Sequence, residues 1–457
     1  MATNLVTTET IILPRTKAPA LPYAPPEYSA QYQDILNNIL RQYFNTLDNF
    51  IGQLMASGNA IVGVYGAGTG ADAFGRLRVS NPYTLFDSQN RYAKDPHFSE
   101  DLVTGGTATY VADQSSVALA VTTTSGSKVV RQSFRVFPYQ PGKGLLAMMT
   151  FVMNEKKAGL RQRVGYFNES NGVFLQLSNS DEPQFVLRTN TSGTPSDART
   201  IPQSSWNGDK LDGTGASGKT LDLTKAQILW MDFEWLGVGS VRCGFIIDGQ
   251  YIICHTFNNA NDIDKVYMTT AILPVRYEIE NTSSTASSST LTQICSTVIS
   301  EGGYEQKASL TWARLTNAVT VSTAFQPLVS IRLKSTTLGA VVIPSIFNAM
   351  PIGSTLDYEV ALIKNATLTT PTWASLNTHV EMDTASLTMT GGTVVQSTYV
   401  SGSNQGSGMA SGDLEYNFVN QLGVSLAGVS DIYTLAARTI AGTDDIIGSL
   451  SLYDLTE

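Results

Sequence analysis

VRCGFIIDGQYIICHTF, Val241 to Phe257, is two apolar runs meeting at Asp248-Gly249. Asp-Gly tolerates the positive backbone angles of a two-residue turn whose twist suits antiparallel strands, so the segment predicts a β-hairpin. The turn sets the register: Ile247 faces Gln250, Phe245 faces Ile252, and Cys243 faces Cys254. Counting outward puts the two cysteines at a hydrogen-bonded pair, with Cα atoms about 5.5 Å apart. A disulfide fits that spacing. Two buried free thiols on the face of Val241 and Phe245 are the plainer reading. With Cys295 the chain has three cysteines, an odd number that leaves no complete disulfide framework.

Working outward, the same two-residue period recurs. Leu229, Met231, Phe233 and Trp235 share a face opposite Asp232 and Glu234, and Leu273, Val275, Tyr277 and Ile279 oppose Arg276, Glu278 and Glu280. Val329, Ile331 and Leu333 alternate with polar neighbours, as do Tyr358, Val360 and Leu362. Alternation of this kind marks strands with one face in a core. Many short strands separated by loops predict β-sandwiches.

Composition agrees. Charged residues are 15% of the chain, against roughly 25% in typical domains. A surface of Ser, Thr, Gly and Asn suits strands and loops better than helices. The net charge is −9 and basic residues do not cluster, so binding to nucleic acid, which needs grouped Lys and Arg, is not expected. No apolar run reaches the roughly 18 residues of a membrane helix, and Met1 to Arg15 lacks the pattern of a signal peptide.

The first residues break the pattern. Pro14, Pro19, Pro22, Pro25 and Pro26 impose an extended arm. A helix is expected over 27–57, bounded by Pro25-Pro26 and Gly58. Tyr28, Tyr32, Leu36, Ile39, Tyr43, Leu47, Phe50 and Leu54 fall at threes and fours and so line one face, widened by Ile35, Leu40, Phe44 and Ile51. That face either lies on the chain's own body or docks onto another molecule. The expected fold class is therefore mainly β, with an N-terminal extended arm and α-helix followed by two jelly-roll-like β-sandwich domains. The expected division is arm and anchoring helix 1–57, Gly-rich linker 58–94, first sandwich 95–315 and second sandwich 316–457.

Several stretches imitate catalytic motifs. GTGASGKT, Gly213 to Thr220, matches the phosphate-loop pattern letter for letter. The preceding run Ser204–Asp212 is polar and the following run becomes a strand, whereas a phosphate loop joins a buried strand to a helix. Gly66 to Ala71 resembles a dinucleotide fingerprint, but Gly75 and Pro82 interrupt the helix it needs. Asp232 and Glu234, two apart on a strand, are the one arrangement of carboxylates that a glycosidase could use; solvated strand acids are the alternative. His97, His255 and His379 have no zinc spacing. Asn258, Asn259, Asn261, Asp262 and Asp264 form an oxygen-rich loop that suits calcium or an Asx turn. No hydrolase elbow occurs.

LPYAPPEYSAQYQDILNNILRQYFNTLDNFIGQL, from Leu21, is similar to the opening of many phage virion proteins. DAFGRLRVSNPYTLFDSQNRY, Asp72 to Tyr92, resembles a signature of a family found in tailed phages and other large viruses. SFRVFPYQPGKGLL, LRQRVGYFNESNGVFL, WNGDKLDGTG, CGFIIDGQYIICHTF and ICSTVISEGGY follow in the same order, up to about residue 305. The resemblance implies a virion structural protein, tail-associated, of a fibre or on the head surface. It implies no catalytic residues. No cofactor is expected, apart from calcium at the Asn/Asp loop. The resemblance also implies a central jelly-roll of the lectin or laminin-G kind. The resulting expectation is a non-enzymatic protein, made in a host cytoplasm and located in the virion. It would dock through Tyr32, Leu36, Ile39, Tyr43 and Leu47 to other virion proteins or to further copies of itself, with neither nucleic acid nor membrane as partner. The alternative is a glycan-binding receptor-recognition protein using Trp206 and Tyr304. A polysaccharide-degrading enzyme using Asp232 and Glu234 is the third reading.

Overall fold

The computed structural model describes residues 27, 29–56, 81–305, 307–353, 355–403, 406–407, 410–413 and 418–456. The chain divides into two compact units, Met1–Val79 and Ser80–Glu457. The architecture is mainly β: one N-terminal helix, then antiparallel sheets forming β-sandwiches. The Pro-rich arm, the Gly66 fingerprint and the first part of the Asp72 signature, residues 72–80, lie outside the described residues.

In the first unit, helix α1 runs from Ala30 to Ala56. It begins later than the proline signal suggests because Ser29 caps it: the Tyr32 backbone N–H donates to Ser29 Oγ at 3.3 Å. A serine there satisfies one of the amides that the first helical turn leaves without a partner. Tyr32, Leu36, Ile39, Leu40, Tyr43 and Leu47 are half-buried, while Ile35 and Phe44 are 48% and 55% exposed. The side chains of Tyr28, Phe50, Ile51 and Leu54 lie outside the described residues.

In the second unit, fifteen strands precede residue 301: β1 Tyr83–Gln89, β2 Phe98–Val103, β3 Thr107–Val111, β4 Ser116–Val121, β5 Lys128–Ser133, β6 Leu145–Val152, β7 Leu160–Phe167, β8 Gly172–Ser178, β9 Gln184–Thr189, β10 Ser196–Pro202, β11 Gln227–Phe233, β12 Val241–Ile247, β13 Gln250–Phe257, β14 Val275–Asn281 and β15 Ser289–Ser300. One sheet has the order β13-β12-β11-β6-β15-β4-β3, with β1 also pairing β15; the facing sheet has the order β10-β9-β8-β7-β14-β5-β2. Within the stretch expected as a linker, 58–94, YTLFDSQ is β1, and it places Leu85 and Phe86 in the core. Thr84 and Phe86 flank a bulge, so the strand does not show the clean alternation by which strands are recognised.

The core lies between the sheets. Strand β6 alternates as a half-buried strand should, with Leu145, Ala147, Met149 and Phe151 inside. The hairpin forms with Asp248 and Gly249 both at positive φ, 52° and 75°, as its turn requires. Ile247 opposes Gln250 and Phe245 opposes Ile252 as expected, but the register then slips, so Cys243 opposes His255 rather than Cys254. Both thiols are free and buried. The bulge changes the side-chain parity of β13, which lets Ile252, Cys254 and Phe257 all reach the core.

The remaining strands form a second sandwich. One sheet contains Ser309–Arg314, Val319–Val321, Val342–Pro351, Ala410–Asp413 and Asp444–Asp454; the other is built on Gln326–Leu333, Asp357–Lys364, Val380–Asp383, Thr393–Ser403 and Ile432–Thr439. The two sandwiches touch closely. Val341, Ile343, Phe418 and Leu455 join the hydrophobic core of the first. Backbone N–H of Val424 donates to the Phe134 carbonyl at 2.9 Å, and Gln421 Nε2 to that of Val136 at 3.1 Å.

Candidate functional site

The loop between β5 and β6, Phe137-Pro-Tyr-Gln-Pro-Gly-Lys143, builds one wall of a cavity of about 420 Å³ at the end of the first sandwich. Pro141-Gly142 turns the chain, with Gly142 at φ 87° and Lys143 N–H closing onto the Gln140 carbonyl at 3.1 Å. Trp235 forms a second wall. It continues the inward parity of Leu229, Met231 and Phe233 one step past the end of β11, so its ring sits at the sandwich rim rather than in the core. Tyr304 and Glu305 from the loop after β15 form a third wall, and Thr269 and Thr270 line it too, with Leu455 and Thr456 from the end of the second sandwich.

Hydrogen bonds hold these walls. Trp235 Nε1 donates to the Met268 carbonyl at 3.1 Å, and the Tyr139 hydroxyl accepts from Leu236 N–H at 3.2 Å. The two rings meet edge to face at 6.1 Å. Gln140 braces the opposite loop in both directions, donating through Nε2 to the Glu305 carbonyl at 2.5 Å and accepting at Oε1 from Glu305 N–H at 2.9 Å. Tyr304 packs on Tyr83 at 5.8 Å and on Phe418 at 4.9 Å. Lys307 and then Lys143 hold the Glu305 carboxyl below the usual carboxylate range. Apolar ring faces beside amides, hydroxyls and a Lys/Glu pair make a concavity that can stack a polar ring and hydrogen-bond its edges.

Of the sequence candidates, Tyr304 is in this cavity and Trp206 is not. Trp206 is 2% exposed and lies in the core against Phe185. The polar run around it misled, because the run folds over the sheet edge and leaves the indole inside. Tyr139, Gln140 and Trp235 were missed. Their signals are visible only afterwards: PYQPGK is a constrained turn, and Trp235 is an inward residue one step beyond its strand.

Asp232 and Glu234 sit in different surroundings. Arg242 grips Asp232 through two hydrogen bonds, with Nε to Oδ1 at 2.8 Å and Nη2 to Oδ2. Glu234 is exposed beyond the strand end. The phosphate-loop lookalike closes on itself through a bridge between Asp212 and Thr220. The Asp209 carboxylate accepts Ser217 N–H at 2.7 Å, an amide of the loop that a phosphate would need, and Leu211 N–H at 2.9 Å. Lys219 pairs with Asp248 at 2.6 Å.

In the calcium-like loop, Arg199 takes two of the oxygens a cation would use. It donates to the Asn258 carbonyl at 3.1 Å and to Asn259 Oδ1. His97 and His379 pair with Asp95 and Asp454, each at 2.8 Å, and burial with Arg199 nearby pushes His255 down to about 4. Among the described residues, no three His, Cys, Asp or Glu side chains are grouped to hold a metal.

The outer face of the sheet containing β7 and β14 carries a dense charge cluster, Arg161, Arg163, Arg188 and Arg276 with Glu169, Asp197, Glu278 and Glu280. The guanidinium groups of Arg163, Arg188 and Arg276 lie over Phe167 and Phe174. Positive and negative groups balance, so the cluster is complete without a ligand.

No protein-family model and no curated protein matches the chain. Solved structures that share the sandwich at low similarity include the following three. The Emp47p carbohydrate recognition domain is 12% identical, with 51% of this chain and 100% of that one covered and a TM-score of 0.31. Peanut lectin is 13% identical, with 48% and 98% covered and a TM-score of 0.28. A β-1,3-glucanase from Mycobacterium marinum is 10% identical, with 47% and 98% covered and a TM-score of 0.33. Over about half its length the chain is therefore distantly similar in structure to lectin-like jelly-roll β-sandwich domains, a likeness too remote to speak for ligand or activity.

Proposed function

We propose that this protein is a non-catalytic recognition and structural protein whose first sandwich binds carbohydrate in the cavity between Tyr139, Trp235 and Tyr304. The observation that carries this reading is the cavity itself, where aromatic walls sit beside Gln140, Thr269, Thr270 and Lys143. Sugars present apolar C–H faces and hydroxyl edges, and such a lining serves both. Catalysis has less support, since Arg242 engages one of the two candidate acids and the other is exposed. The test is a glycan array probed with the full chain, with and without calcium. Trp235→Ala should weaken any hit about tenfold, on the order of the 1.5 kcal/mol that a ring contact contributes. A blank array, or unchanged binding by a folded Trp235→Ala variant, removes the proposal.

A second reading, compatible with the first, is supported by α1 and by the sequence resemblance: the protein is a virion component anchored through Tyr32, Leu36, Ile39, Tyr43 and Leu47. None of these side chains is fully buried. A 27-residue helix whose apolar face is incompletely covered gains most of its stability from a packing partner. Deleting residues 1–57 should give folded protein that is absent from particles; normal incorporation of the truncated chain would end this reading.

A further inference from the structure

Arg135 differs from the other buried arginines. Arg131, Arg163, Arg188 and Arg276 each meet at least one carboxylate. Arg135 is 6% exposed, and among the described residues it forms no ion pair and its buried Nε has no hydrogen-bond partner. The Phe86 ring lies 5.3 Å from the guanidinium carbon. Asp87 and Asp95 lie near enough to be felt, yet neither closes on it. Asp95 is engaged by His97, at 2.9 Å through the backbone N–H and 2.8 Å through Nδ1. A guanidinium does not shed its proton in a protein, so burying one without a partner carries its full desolvation cost.

Arg135 lines a cavity of about 290 Å³ where the two sandwiches meet. A water molecule's share of liquid volume is about 30 Å³, so the space can hold considerably more than one. The first sandwich contributes His97 and Arg135; the second contributes Lys364, Asn365 and Asp431. The one carboxylate in this lining is already engaged. Asp431 accepts from Lys364 Nζ at 2.8 Å, Asn365 Nδ2 at 2.8 Å and Gly423 N–H at 2.9 Å. With Nδ1 of His97 held by Asp95, Nε2 is the ring nitrogen left to meet a ligand.

We propose that this inter-sandwich cavity is a binding site for a small oxyanion, the carboxylate, phosphate or sulfate group of a ligand, with the Arg135 fork as its main donor and Lys364 and His97 beside it. The planar fork suits two oxygens of one such group. Because the lining comes from both sandwiches, a bound oxyanion bridges them and stabilises the folded chain by mass action.

The experiment is thermal unfolding of the full chain titrated with sodium phosphate, sodium sulfate or sodium acetate at constant ionic strength, with chloride as the reference. The three salts separate the sources of the oxyanion. At least one should raise the unfolding temperature saturably above chloride. Arg135→Gln should abolish that rise, and Arg135→Lys should raise the half-saturating concentration at least tenfold. Should Arg135→Gln fail to fold, anomalous diffraction from unmutated crystals soaked in selenate decides, with a selenium peak expected within hydrogen-bond distance of Arg135. Responses no different from chloride, an undiminished response in folded Arg135→Gln, or selenium found only elsewhere would each overturn the proposal.

Discussion

Gly244 shows how one residue sets the pairing of a strand. A Cβ at this position would collide with the Ile252 carbonyl oxygen and meet the Trp230 ring at 3.0 Å. The bulge that displaces Cys254 from Cys243 needs this close approach. Gly244→Ala should therefore destabilise the protein by about 1–3 kcal/mol, as overpacking a core does, read from urea unfolding midpoints; an unchanged midpoint would show that the strands can separate freely there. The same slip decides the thiol chemistry. Burial raises both core thiols, Cys254 to about 12, and Cys295, less buried, is raised by the same cause. A thiol reagent at pH 8 should modify Cys295 in the native protein and reach the other two only on unfolding. Fast modification of all three would contradict the packing. Sequence parity correctly put Cys243 on the inner face, but no residue pattern announced the bulge, because it depends on how Gly244 meets the neighbouring strand.

At the level of elements, β14 carries the clearest case of a pattern whose sense changed. Val275, Tyr277 and Ile279 point inward as their spacing implies, yet the opposite residues are not solvated: Arg276 is 1% exposed and Glu278 3%. Arginines of β7 and β9 lie over Phe167 and Phe174 and close that face. Burial by itself would raise the Glu278 carboxyl, but Arg276 and Arg163 outweigh it and hold the group below its ordinary value. A carboxyl depressed in the folded state stabilises the protein above its unfolded value of about 4.3, and that contribution fades as pH falls through the folded value. Glu278→Gln leaves buried guanidinium groups short of a counter-charge and should cost about 3–5 kcal/mol near neutral pH. The variant should also lose less of its remaining stability than the parent between about pH 5 and pH 3. Parallel stability curves for the two proteins would remove Glu278 from the acid response.

Across the whole molecule, the two sandwiches share apolar contacts rather than being strung on a linker. Val341, Ile343, Phe418 and Leu455 complete the first core, and hydrogen bonds from Gln421, Val424 and Leu426 reach β2 and the strand-like segment after β5. Calorimetry should show residues 81–456 unfolding in one transition, with calorimetric and van't Hoff enthalpies equal; two separated transitions would mean that the shared contacts contribute little. Ending the chain after residue 315 should expose the apolar residues those contacts cover and give aggregated protein. Local pattern alone determined the β class, the single helix, the Asp248-Gly249 hairpin and the inward faces of most strands, because two- and four-residue periods are properties of the backbone. It also disqualified the phosphate-loop lookalike, through the missing helix. Only tertiary structure decided that Trp206 is core and Trp235 is rim, that Asp232 belongs to Arg242, and that Arg135 and Lys364, more than two hundred residues apart, border one cavity. Those outcomes depend on which strand ends meet in space, and sheet order, unlike period, leaves no mark within any short stretch of chain.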